Sequence, residues 1–395
     1  MINVYIGPNG FGKTTKLHEE KDRLISSGVP EKEVLFLDSE ILLLDEVKDT
    51  KDESKTMEFI VQELFMNSAT FLTTKIAFEN QVRTEITNNQ ALMNSILDDI
   101  LSLNGSTRSP GSNFIDINTK MVFKNLVKIE TKDIKGKTGS GQRMQLILSL
   151  VKHSGTKKYV FLDEPEKYSH PSSLHRTAKL IQELDANGIN IYIASHSPKL
   201  LSMIDLDFDN IHIINDATHS AKTIDFLGIV SSFAFSSLGS FGQKEKSFYS
   251  VPTLKDNIKN IYYREFIESL FTKKVFLCEG INDKFFIMKA LKTDNKFYDD
   301  YCIFQTFGKF IMPVFEKIFS SLGIETQVFF DEDTPKRSSD SKHLEIDSYL
   351  ESLTYYEFKP CLEVEIGFSL PDKNNTVGFI DFLDSLTLET NKYIK

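Results

Sequence analysis

The sequence predicts an α/β fold in two parts, and three observations carry that reading. A glycine-rich loop stands between a short apolar strand and a helix near the start of the chain. Strand-like and helix-like runs then alternate over residues 1–226, the pattern of a predominantly parallel sheet. After a change of composition, a second series of apolar strands ends in carboxylates.

The first strand is Ile2 to Ile6, and the loop after it is Gly7-Pro8-Asn9-Gly10-Phe11-Gly12-Lys13-Thr14. It fits the phosphate-loop pattern GxxxxGK[ST], in the strand–loop–helix setting that the pattern requires. Glycines let successive N–H groups face phosphate oxygens, and the helix that follows, ending near Gly28, adds its positive dipole end. Asn9, Gly10, Gly12, Lys13, Thr14 and Thr15 are the expected ATP-phosphate contacts, with Lys13 on the β/γ-phosphates and Thr14 on Mg²⁺.

Further strands are expected at 34–37, 159–162, 190–194 and 210–214, and helix over much of 56–103, a helical lobe inserted before the next motif. The strand at 159–162 runs into Asp163-Glu164-Pro165-Glu166. Asp163 can hold Mg²⁺ through water, and Glu164 can polarise the water that attacks the γ-phosphate. Thirty-two residues beyond Glu164, the next strand ends in Ser195-His196-Ser197-Pro198, which offers His196 as a γ-phosphate contact. Upstream, Thr138-Gly139-Ser140-Gly141-Gln142-Arg143 precedes a helical run at 144–151, so small residues at a helix start make a second anion nest at Ser140, Gly141 and Gln142.

Composition changes from Gly228 to Lys255 towards Ser, Gly, Phe and Lys, which places the domain connection there. The boundaries read as 1–226, a connecting segment with one helix at 227–272, and a second α/β domain at 273–395. In that domain an apolar strand ends in Glu279-Gly280-Ile281-Asn282-Asp283, a second in Asp331-Glu332-Asp333, and Cys361-Leu362-Glu363-Val364-Glu365 supplies a third acidic position. Gly280 lets the chain turn beside Glu279, at the carboxyl end of a strand where α/β sheets place their sites. Clustered carboxylate oxygens select hard cations such as Mg²⁺ or Mn²⁺, which can activate water towards a phosphodiester.

At 395 residues, with 41% hydrophobic and 26% charged, the chain has an ordinary globular composition. No stretch reads as a signal peptide or membrane span, so a soluble cytoplasmic protein is expected. The net charge of −10 argues against a globally basic nucleic-acid coat. A local basic stretch at 120–143, with Lys120, Lys124, Lys128, Lys132, Lys135, Lys137 and Arg143, reads equally as phosphate-contacting surface or as a solvated strand pair. Cys278, Cys302 and Cys361 lack metal-ribbon spacing and read as small buried apolar residues.

The nucleotide motifs resemble an ABC-type ATPase, with Thr138-Gly139-Ser140-Gly141-Gln142 in the place of LSGGQ and its Ser and Gly exchanged. That resemblance implies head-to-head ATP sandwiching in a homodimer or higher homo-oligomer, with Gln81 in the place of a metal-sensing glutamine. The order EGxxD, DxD, then Glu resembles a Toprim domain, which implies Glu279 as general acid/base or metal ligand, Asp331 and Asp333 as metal ligands, and Asp283 and Glu363 beside them. An ABC-type P-loop ATPase domain followed by a smaller Toprim-like domain is similar to the OLD (overcoming lysogenization defect) family of ATP-dependent nucleases. Tyr263-Arg264-Glu265, Leu270-Phe271 and Gly308-Lys309 add to that likeness. It implies a metal-dependent endonuclease on nucleic acid, DNA favoured over RNA, in an antiphage defence role, in some members beside a partner such as a retron reverse transcriptase. The likeness departs in the tail, where only about thirty residues follow Glu363 and the helical region with the catalytic lysine of longer members has no clear counterpart; Lys373 and Lys392 are equal candidates to substitute for it. Two other readings remain open: an ATP-gated clamp or sensor whose Toprim part binds without cutting, and a transporter ATPase with a regulatory C-terminal domain.

Overall fold

A computed structural model describes residues 1–8, 10–38, 75–103, 115–117, 127–129, 140–167, 169–214, 220–293, 300–332, 340–368, 376–388 and 392–394, with the backbone alone at 75–83, 86, 103, 115–117, 127–129 and 140–143. The chain divides into two compact units, Met1–His219 and Ser220–Lys395. Residues 227–272, read from the sequence as a connecting segment, lie within the second unit.

Unit one is a five-stranded sheet in the order β2-β5-β6-β1-β7. Its strands are β1 (Ile2–Ile6), β2 (Val34–Asp38), β5 (Tyr159–Asp163), β6 (Asn190–Ala194) and β7 (Ile211–Ile213), and every pairing is parallel. Near-continuous apolar runs, as in Tyr159-Val160-Phe161-Leu162, suit strands buried on both faces. Register places Phe36, Phe161 and Tyr192 abreast on three neighbouring strands. Their rings stack at 6.0 and 4.6 Å, one cross-strand ladder on which helix α1 (Lys13–Ser26) lays Leu17 and Leu24.

Helix α2 (Lys75–Leu103) covers the later part of the expected helical stretch and buries Met93, Ile96, Leu97, Ile100 and Leu101, a spacing that keeps one face inward. It packs on α3 (Ser140–Ser154), which packs on α4 (Pro171–Ala186). A small antiparallel pair, β3 (Ile115–Ile117) with β4 (Val127–Ile129), completes the described part of this unit. The basic stretch at 120–143 falls largely outside the described residues, as do Asn9, Gly139 and Asp333.

Unit two is a four-stranded parallel sheet, order β11-β10-β8-β9, made of β8 (Lys274–Cys278), β9 (Tyr301–Gln305), β10 (Glu325–Asp331) and β11 (Tyr355–Phe358). Helices α5 (Ile281–Thr293), α6 (Met312–Ser321), α7 (Ser341–Glu351), α8 (Leu362–Ile366) and α9 (Thr376–Ser385) surround it. The single helix expected near 254–270 is divided into Val251–Asn257, a π turn at Ile258–Tyr262, and Tyr263–Ser269. The π turn buries Tyr262, whose hydroxyl donates to the Thr306 carbonyl at 2.6 Å. Among the described residues no helix is long and apolar enough to cross a membrane.

Candidate nucleotide and metal sites

In unit one, parallel pairing brings the carboxyl ends of β1, β5 and β6 to one edge of the sheet, and the phosphate loop starts from that edge. Gly7 has φ 153°, and a Cβ there would lie 1.9 Å from the Ile214 carbonyl oxygen, so no side chain fits. Gly10 (φ 81°) and Gly12 (φ 87°) hold the left-handed turns that let the loop enter α1. Lys13, 5% exposed, donates from Nζ to the carbonyls of Gly7 (2.9 Å) and Pro8 (3.0 Å), which holds its ammonium within the loop. Burial lowers its pKa, against the opposing pull of Glu164, Asp163 and Glu166.

Thr14 Oγ1 donates to Asp163 Oδ2 at 2.9 Å and reaches Oδ1 at 3.1 Å, so the two expected Mg²⁺ contacts meet although 149 positions separate them. Burial, with Asp38 and Glu164 adding to it, pushes the Asp163 carboxyl up. That is the environment a cation would relieve. Glu164 takes the left-handed region, φ 48°, a backbone cost of about 1–2 kcal/mol for a residue with a Cβ. Its backbone N–H is tied to the Ala194 carbonyl at 2.8 Å. In that pose its carboxylate meets His196 Nε2 at 3.3 Å and Lys167 Nζ at 3.0 Å. Burial and the Lys13 charge lower the His196 pKa, which favours a neutral imidazole.

Glu166 is a member of this site to which the motif reading gave no role. Its Oε1 accepts from Ser195 Oγ (2.9 Å) and from the His196 N–H (2.6 Å), fixing the turn that presents His196. Its carboxyl is pushed up by burial, against the hydrogen bonds it accepts. The second acid of a Glu-Pro-Glu run was the available signal. Thr15 lies in the first turn of α1, and Ser140, Gly141 and Gln142 open α3. Gln81 lies within α2.

In unit two the same logic operates on acids. Glu279 follows β8, Asp283 sits in the first turn of α5, Asp331 ends β10 and Glu363 lies in α8. Each carboxylate is oriented by a donor from another part of the group. Glu279 Oε1 accepts the Asp331 N–H at 3.1 Å, and Asp331 Oδ1 accepts the Leu362 N–H at 3.0 Å. Asp283 Oδ2 accepts the Gly280 N–H at 2.7 Å, and Glu363 Oε1 accepts from Asn282 Nδ2 at 2.9 Å. Asp283 is 8% exposed. Burial first, then the charges of Asp331, Glu279 and Glu363, push its carboxyl far above the usual range.

Carboxylate oxygens brought together in this way form a donor set that suits a divalent cation. Ligand atoms of Asp331, Cys361 and Glu363 lie within 4.8 Å of one another. Cys361 is half-buried at this cluster, where the sequence suggested a plain core cysteine; Cys278 alone of the three is fully buried. Behind the acids, Lys309, 3% exposed, donates to the Asp331 carbonyl at 2.6 Å, pairs with Asp347 at 2.9 Å and lies over the Phe330 ring. Lys392 bonds Glu365 at 2.7 Å and stands over the rings of Tyr356 and Tyr393, while Lys373 falls outside the described residues.

Residues 270–333 match the family model of the Toprim domain of overcoming lysogenization defect protein-like proteins. Unit two therefore carries an OLD-like Toprim domain, preceded in the chain by a parallel α/β unit with a phosphate loop. Three solved structures are similar at low identity. The SmcHead bound to the C-winged helix domain of ScpA has a TM-score of 0.34 at 13% identity, over 52% of this chain and 60% of that one. A Streptococcus thermophilus protein has a TM-score of 0.35 at 10% identity, over 66% and 80%. An ATP-binding cassette of an ABC transporter, in its ADP conformation, has a TM-score of 0.27 at 17% identity, over 56% and 78%. No curated protein matches the chain.

Proposed function

We propose that this chain is an ATP-binding and ATP-hydrolysing nuclease whose Toprim site cleaves nucleic acid with a divalent metal. The observation that carries the reading is that Asp331 and Glu363 offer ligand atoms within 4.8 Å of one another, with Glu279 bonded to the Asp331 N–H and Asp283 feeling the charges of all three. Asp331 and Glu363 would hold the ion, with Glu279 and Asp283 beside it, and Asp333 is proposed as a further ligand. A bound Mg²⁺ or Mn²⁺ supplies a polarised water and neutralises charge at the phosphodiester. Glu279 stands at the strand end as the group to take or return a proton, and Lys309 keeps the Asp331 backbone in register.

In unit one, Lys13 and the loop amides bind the ATP phosphates, Thr14 and Asp163 hold Mg²⁺, Glu164 orients water and His196 contacts the γ-phosphate. ABC-type pairing of two copies, with Ser140, Gly141 and Gln142 facing the partner's ATP, gives nucleotide state control over access to the cutting site. A cytoplasmic antiphage effector is the role this combination fits, with DNA the favoured substrate.

The test incubates the full chain with DNA and with RNA, in Mg²⁺ or Mn²⁺, with and without ATP. Metal-dependent cleavage lost in Glu279→Ala is expected. Cleavage unchanged in that variant overturns the assignment, and ATP binding with assembly but no cleavage favours an ATP-gated clamp instead.

A further inference from the structure

We propose that Cys361 is a ligand of the metal at Asp331 and Glu363, so that this Toprim site has a sulfur donor and prefers thiophilic divalent ions. The inference rests on the metal-binding reading of unit two and adds to it the class of ion.

Cys361 and Glu363 lie two positions apart where the chain leaves β11 and enters α8. The Leu362 N–H between them donates to Asp331 Oδ1 at 3.0 Å, which pins this turn against the end of β10. Sulfur and the two carboxylates are thereby brought to one point, within 4.8 Å of one another. Metal–sulfur bonds of about 2.3 Å and metal–oxygen bonds of about 2.0–2.2 Å let two donors on one ion stand up to roughly 4.5 Å apart. Rotation of these side chains about their own bonds would bring the three donors onto one ion.

The rest of the pocket supplies oxygen, from Glu279 and Asp283, as a hard-ion site would. A thiolate among them shifts preference towards Co²⁺, Zn²⁺ and Cd²⁺, and weakens the advantage of Mg²⁺, which takes oxygen ligands almost exclusively. The other thiols are placed differently: Cys278 is fully buried under the strand end, and Cys302 accepts from Ser269 Oγ at 3.3 Å.

The test titrates Co²⁺ into the nucleotide-free full chain and records the near-ultraviolet sulfur-to-cobalt charge-transfer band alongside the visible ligand-field bands. The wild type is expected to show both. Cys361→Ser should lose the charge-transfer band, keep the ligand-field bands, and weaken Cd²⁺ binding by at least about tenfold with Mg²⁺ binding little changed. Asp331→Asn should lose both sets of bands. Ligand-field bands without charge transfer in the wild type overturn the role of Cys361 and leave the carboxylate site standing. A charge-transfer band that survives Asp331→Asn overturns it too, since the sulfur then binds elsewhere. No cobalt binding in any variant removes the metal-site reading itself, a different failure.

Discussion

At the residue scale, Gly7 and Glu164 make the sharpest demands on the backbone. Gly7→Ala places a Cβ against the Ile214 carbonyl in a conformation that L residues rarely adopt. We expect a loss of more than about 1 kcal/mol of stability together with weakened ATP binding, measured by denaturant unfolding and nucleotide titration. Glu164 spends backbone strain to aim a carboxylate between His196 and Lys167. Glu164→Gln should keep ATP binding and lower hydrolysis by roughly 10²–10⁴-fold in a turnover assay. Hydrolysis at the wild-type rate would show that another group positions the water.

At the scale of elements, two charged contacts of α7 in unit two make separable predictions. On its buried side, Asp347 pairs with Lys309, which in turn holds the strand end bearing Asp331. Lys309→Met leaves Asp347 without its cation, and about 3–5 kcal/mol of destabilisation is expected. The double variant Lys309→Met with Asp347→Leu should recover much of that loss in a double-mutant cycle, since neither charge is then stranded. On the outer side, Glu345 accepts from the backbone N–H and hydroxyl of both Ser236 and Ser237. These bonds, the Ser236 hydroxyl first, hold its carboxyl at about 2, against an ordinary value of 4.5. A depressed carboxylate pKa gives stability that is present above the unfolded value and lost as pH falls through the folded one. Wild type should therefore exceed Glu345→Gln in unfolding midpoint above pH 4.5, and the difference should shrink towards pH 2. A pH-independent difference would contradict the latch.

For the whole molecule, what was legible in the sequence is what depends on local order. The strand and helix that flank the phosphate loop, the strand ending at Asp163 and the strand leading to Glu279 are short segments whose residues act in place, and all form the expected elements. The inward face of α2, with Ile96, Ile100 and Leu101 buried, was equally readable from spacing. Roles set by tertiary neighbours were not readable. Glu166 gains its part only when β6 lies beside β5, Lys309 only when Asp347 of α7 reaches it, and Cys361 only when α8 is drawn to Asp331. The π turn at Ile258–Tyr262 escaped for the same reason, since Tyr262 answers to the Thr306 carbonyl rather than to its own helix. Everything proposed for unit two depends on the convergence of its acids. Anomalous scattering from crystals of the nucleotide-free chain grown with Mn²⁺ tests that most directly. The account predicts a manganese peak bonded to Asp331 and Glu363 beside Glu279, absent in Asp331→Asn crystals; a wild-type map with no peak there, at saturating Mn²⁺, would contradict it.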